Sequence, residues 1–122
     1  MKITSDSLRA SLLCIGLLAM LSGRSFAAPP EFVIEIRNHL FQPDALTIPA
    51  NTKVKLIIYN RDATPEEFES YELNREKVIL GERKAIVFIG PLPPGEYPFF
   101  GEFNPQTALG KIIVVAAGNV AE

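Results

Sequence analysis

Apolar residues recur along most of this chain in short runs, and several alternate with polar ones. Phe32, Ile34 and Ile36 fall on one face of Phe32-Val33-Ile34-Glu35-Ile36-Arg37, and Val54, Leu56 and Ile58 do the same in Val54–Tyr59. Period-two alternation is the mark of a half-buried strand. Further runs lie at Ala45–Ile48, Glu67–Ser70, Lys77–Leu80, Lys84–Ile89, Tyr97–Phe100 and Lys111–Val115, separated by Pro, Gly, Asn and Asp. Eight short runs spaced roughly ten residues apart predict an all-β sandwich or barrel. No segment after the N-terminal region holds helical periodicity long enough to compel a helix; Glu66 to Lys77 is the one stretch with room for a helical turn. Prolines number 10 and mostly close the runs. Pro98 lies inside one, so that strand is expected at a sheet edge or to begin at Phe99. The aromatic residues Phe32, Phe41, Phe68, Phe88, Tyr97, Phe99, Phe100 and Phe103 are expected in the core, with Phe100 and Phe103 the candidates for an exposed docking patch.

The N-terminus follows a different pattern. Lys2 and Arg9 precede an unbroken apolar run, Leu12–Leu21, and Ser25-Phe26-Ala27 places small residues at the positions that precede a cleavage site. The run is half of the roughly 20 residues that span a bilayer. Residues 1–27 are therefore expected to be a signal peptide and residues 28–122 one exported domain, periplasmic or otherwise extracytoplasmic, with no membrane insertion after cleavage. The single cysteine, Cys14, falls inside the apolar run, leaving the mature chain without disulfide, thiolate ligand or cysteine nucleophile. Of 12 basic and 14 acidic residues, cleavage removes Lys2, Arg9, Arg24 and Asp6, so 9 face 13 and the net charge moves from −2 to −4. An acidic domain argues against nucleic acid and anionic membrane as partners, and suits a metal cation or a basic protein.

Three motifs in order resemble the cupredoxin family. They are Phe41-Gln42-Pro43 through Ala50, Asn60-Arg61-Asp62-Ala63-Thr64-Pro65-Glu66-Glu67-Phe68, and Pro94-Gly95-Glu96-Tyr97 through Asn104-Pro105 to Gly110-Lys111-Ile112-Ile113-Val114. The resemblance implies a Greek-key β-sandwich of seven to eight strands, cupredoxin-like. It also implies where a blue-copper ligand set would sit. Glu66 stands at the first histidine position, Gly101 at the cysteine, Asn104 at the second histidine, and Ala108 or Leu109 at the methionine. A site built on two imidazoles, a thiolate and a weak thioether therefore has none of its ligands, and no type 1 copper is expected. A narrower resemblance, carried by Thr64–Ser70, Arg75–Val78 and Gly90–Pro105, is to the cupredoxin-like periplasmic components of bacterial ferrous-iron permease systems. It implies a protein that acts beside an iron permease and binds metal through carboxylates.

Read from its residues alone, the chain's sharpest chemical feature is acidic. Asp62, Glu66, Glu67, Glu69, Glu72 and Glu76 fall within one short stretch, and carboxylate oxygens suit iron, manganese or calcium ions. An extended backbone puts Glu67 and Glu69 on one face and Glu66 on the other. The candidate metal ligands are Glu66, Glu67, Glu69, Glu102, Asn104 and the one histidine, His39. Two readings stay open: an accessory protein of iron or copper uptake, and a metal-free β-sandwich interaction module that docks onto a partner envelope protein. There is no Ser-His-Asp arrangement and no phosphate loop, and no catalytic residue is assigned.

Overall fold

The computed structural model describes residues 27–119; the expected signal peptide lies outside them except for Ala27. Nine strands form two sheets packed face to face. The first, in spatial order, contains β2 (Leu40–Gln42), β1 (Glu31–Arg37), β4 (Val54–Asn60) and β7 (Lys84–Ile89). The second contains β3 (Ala45–Pro49), β9 (Leu109–Val115), β8 (Gly95–Gly101), β5 (Glu66–Ser70) and β6 (Arg75–Ile79). β1 runs parallel to β4 and β3 parallel to β9; the other pairings are antiparallel. Among the described residues the only helical element is a 3-10 turn at Ala117–Asn119.

The alternation seen in the sequence is the alternation of burial. Ile34, Ile36, Val54, Leu56, Ile58, Val87 and Ile89 of the first sheet meet Ile48, Phe68, Phe99, Ile112 and Val114 of the second. Phe41, Phe68 and Phe99 pack edge to face or tilted, with Phe41–Phe99 and Phe68–Phe99 centroids 4.9 Å apart. A Cβ on Gly110 would run into the Phe99 ring. Large side chains buried this fully contribute about 1.5–3 kcal/mol each.

Four expectations change. The strands number nine, because Leu40–Gln42 pairs with Glu35–Arg37. A two-residue loop, Asn38-His39, joins them with φ of 53° and 60°, the left-handed pair of a tight hairpin turn. The stretch after Glu66 contains no helix but a hairpin, β5 to β6, turning at Tyr71–Asn74. Pro98 lies in the middle of β8, an interior strand. Its partner Lys111 turns its amide away to Asp44, so no bond is asked of Pro98 there. Its carbonyl, on the β5 side, accepts the Ser70 hydroxyl at 2.7 Å, and the β5–β8 ladder reaches only Phe100 and Gly101. Finally, Phe88 and Phe103 are exposed, Phe88 because it shares the outward parity of Lys84 and Ile86, Phe103 because it follows β8 in a loop.

Candidate functional site

Along β5 the side chains of Glu66, Phe68 and Ser70 point inward, and those of Glu67 and Glu69 outward. The strand therefore divides the predicted ligands between two places.

The inward group centres on Glu66, 1% exposed. Its Oε1 accepts the amides of Glu67 at 3.0 Å and Phe103 at 2.9 Å, and its Oε2 accepts Asn104 Nδ2 at 2.7 Å. The same Asn104 amide lies 3.3 Å from His39 Nδ1, and that nitrogen lies 3.7 Å from Asp62 Oδ2. Asp62 in turn accepts the amides of Asn38 and His39, each at 2.8 Å, and so holds the hairpin turn that presents His39. Asn60, also 1% exposed, shapes the loop that leads to Glu66. It donates to the Thr64 and Ile79 carbonyls and accepts the Asp62 amide. The segment after β8 closes on itself through Gly101 N to Ala108 O at 2.8 Å and Ala108 N to Asn104 O at 2.9 Å, and is tied to β5 by Glu102 N to Glu67 O at 2.9 Å.

Gly101 explains how a carboxylate fits here. A Cβ at this position would lie 2.6 Å from Glu66 Cδ, 2.7 Å from Oε2 and 2.8 Å from Ala108 Cβ. The Glu66 carboxylate fills the space above Gly101. Ala108, 1% exposed, lines that space, whereas Leu109 is 56% exposed. No buried side-chain N or O among the described residues lacks a partner.

The outward group is Glu67 and Glu69 on β5 with Glu76 on β6. One carboxylate oxygen from each lies within 4.8 Å of the other two. Glu69 sits directly opposite Glu76 in the ladder, a like-charge pair that destabilises a sheet. Burial holds the Glu69 carboxyl above its ordinary value, and the charges of Glu76, Glu67 and Glu102 push the same way. Glu35 shows the opposite arrangement, lowered by hydrogen bonds from Arg61 and Arg37. Among the described residues no ion pair involves Glu67, Glu69, Glu76 or Glu102.

The folded chain thus holds the Glu69 proton more tightly than the unfolded chain. That contribution is present at acid pH and is lost as pH rises through the raised value. Glu69→Gln is therefore expected to raise the thermal midpoint of the metal-free protein at neutral pH. The gain should shrink as pH falls into the carboxylate range, as read by melts across pH.

Of the residues predicted from sequence, Glu66, Asn104 and His39 converge inside one network, while Glu67, Glu69 and Glu102 gather on the solvent face. Sequence reasoning left Glu76 out of the ligand set and gave Asp62 and Asn60 no structural role. Glu76 becomes a ligand candidate only through the β5–β6 register. Nothing in the sequence marked Asp62 for this, since its partners Asn38 and His39 lie 24 and 23 residues away.

A model of the cupredoxin-like domain matches residues 10–114, and the chain belongs to that family. It is similar to the uncharacterised protein RP394 of Rickettsia prowazekii (strain Madrid E), 45% identical over 84 residues, covering 69% of this chain and 67% of the relative. Among solved structures it resembles the metal-binding domain of the Cu(I)-exporting P-type ATPase CopA of Streptococcus pneumoniae D39, with a TM-score of 0.64, 13% identity, and 75% and 91% of the two chains covered. Auracyanin A, a "blue" copper protein of Chloroflexus aurantiacus, gives a TM-score of 0.62 at 13% identity, covering 72% of this chain and 100% of that one. At these identities the two structures speak for the fold alone.

A type 1 copper centre does not fit the residues present. Residues 27–119 hold no cysteine and one histidine, His39, and Glu66, Gly101, Asn104 and Ala108, at the positions that the family resemblance assigns to its ligands, supply neither thiolate nor imidazole.

Proposed function

We propose that this protein is an exported metal-handling member of the cupredoxin-like family that holds a cation, iron or copper, on the outward face of β5 and β6. The observation that carries this reading is the convergence of Glu67, Glu69 and Glu76 without a neutralising cation among the described residues. Glu102 adds to the negative potential at Glu69. A divalent ion would turn the repulsion between facing carboxylates into shared coordination, and oxygen-only donors favour hard or borderline cations over Cu(I). Glu66 is spoken for by protein donors, so it shapes the domain and is not offered to the ion. The apolar run Leu12–Leu21 with small residues near Ala27 supports export. An iron permease or another envelope protein is the partner that the sequence resemblance suggests. A solved neighbour of this fold is the metal-binding domain of a copper exporter, a precedent for the sandwich serving metal transport.

Calorimetric titration with anaerobic Fe²⁺, with Fe³⁺, Cu²⁺ and Mn²⁺ tests this. Micromolar or tighter binding is expected, weakened at least tenfold in Glu67→Gln/Glu69→Gln and unchanged in a control at exposed Glu96. Absence of binding to all four ions would overturn the reading and favour the second one, a metal-free module docking on a partner. The filled inward site favours that second reading.

A further inference from the structure

β6 and β7 are the outer strands of their sheets, on the same side of the sandwich. Between them runs a groove of about 580 Å³ lined by Lys77, Val78, Leu80, Arg83, Lys84, Ala85 and Ile86. Its apolar part is open to solvent: Val78 is 46%, Leu80 61% and Ile86 40% exposed. Its rim is basic although the chain as a whole is acidic, with a net charge of −2. Among the described residues no ion pair neutralises Lys77, Arg83 or Lys84.

The backbone of the groove wall is also unpartnered. Arg83 turns its carbonyl inward, to Asn60 N at 2.8 Å, and Phe88 turns its carbonyl outward, to Arg75 Nε at 3.0 Å. N–H and C=O groups alternate sides along a strand, so Lys84 and Ile86 point theirs outward like Phe88, and no described residue bonds them there. Arg75 caps the edge at Phe88, and Gly90-Pro91 ends it. What remains open is two residues long, beside an apolar floor and three cations.

We infer that the β7 edge is a docking site for an extended, acidic segment of a partner protein, added as a fifth strand of the first sheet. Backbone bonds to Lys84 and Ile86 would set its register, and its apolar side chains would settle against Val78, Leu80 and Ile86. Its carboxylates would meet Lys77, Arg83 and Lys84. The same cations disfavour a second copy in this groove, because they would face their own kind. This inference is independent of the metal reading, since it uses none of Glu67, Glu69, Glu76 and Glu102, although Val78 lies opposite Glu67 in the β5–β6 ladder.

The test uses the ¹⁵N-labelled protein purified from cells expressing the full chain. The probe is an eight-residue peptide of alternating glutamate and valine, with capped ends. Saturable shifts of the Lys84 and Ile86 amide signals are expected, with affinity falling at least tenfold for Lys77→Glu/Arg83→Glu/Lys84→Glu and declining steeply with salt. On the wild-type protein, a peptide N-methylated at alternate residues should lose at least tenfold. Four results would each overturn the proposal: no shift at Lys84 and Ile86, equal affinity for a lysine–valine peptide, undiminished binding of the N-methylated peptide, or self-association of the protein that the charge reversal abolishes.

Discussion

Glu66→Ala is expected to lower the unfolding free energy by roughly 3 kcal/mol, whereas Glu66→Gln costs less than about 1 kcal/mol. The alanine variant strips acceptors from the Glu67 and Phe103 amides and from Asn104 Nδ2 at once and opens a void beside Gly101 and Ala108. A buried donor left unpaired costs more than a made hydrogen bond returns, and this asymmetry sets the size of the effect. Glutamine keeps the shape. Its carbonyl can face the Glu67 and Phe103 amides. Its NH₂ then meets Asn104, which can turn its own amide to present oxygen both to that group and to His39 Nδ1 in the tautomer that makes this nitrogen a donor. Urea unfolding of both variants separates the two cases. A glutamine variant as damaged as the alanine one would show that charge at this position matters more than hydrogen-bond geometry.

Gly101→Ala is the second large effect, with an expected loss of about 2–3 kcal/mol from overpacking. The added methyl would come within 2.6 Å of Glu66 Cδ and 2.8 Å of Ala108 Cβ. The φ of Gly101 is not among the positive ones, so the penalty comes from space and not from backbone strain. Removing the obstacle should therefore rescue it. In a Glu66→Ala background the added methyl fills part of the void, and the double variant should be more stable than the sum of the singles by about 1–2 kcal/mol. Additive losses in the double-mutant cycle would mean that the carboxylate does not occupy the space above Gly101. A favourable coupling would establish that this position in the fold is plugged by the chain's own side chain.

Much of this molecule was legible from its residues one at a time. The inward parity of Ile34, Ile36, Leu56 and Ile58 and the split of Glu66 from Glu67 and Glu69 follow from side-chain period; that 66, 101 and 104 are ligand positions came from the family resemblance. Strand β2 was missed because three residues, two of them exposed, carry no pattern, and because its turn is made by Asn38-His39 with no glycine to mark it. Pro98 misled because its missing N–H counts only on one side of the strand, and which side depends on the neighbours. Phe88 and Phe103 lie outside the core, because outward parity and a loop position override their hydrophobicity.

Sequence alone determined the all-β class, the alternation that builds the core, and the lack of any cysteine among residues 27–119, since these rest on local period and on which atoms the side chains possess. Only the tertiary structure decided that Glu66 fills the space above Gly101, that Glu76 faces Glu69, that His39 meets Asn104, and that Lys77 and Lys84 flank one groove. Those pairs lie on different strands or loops. Their proximity is set by ladder register and by how two sheets stack, quantities that no single stretch of chain encodes.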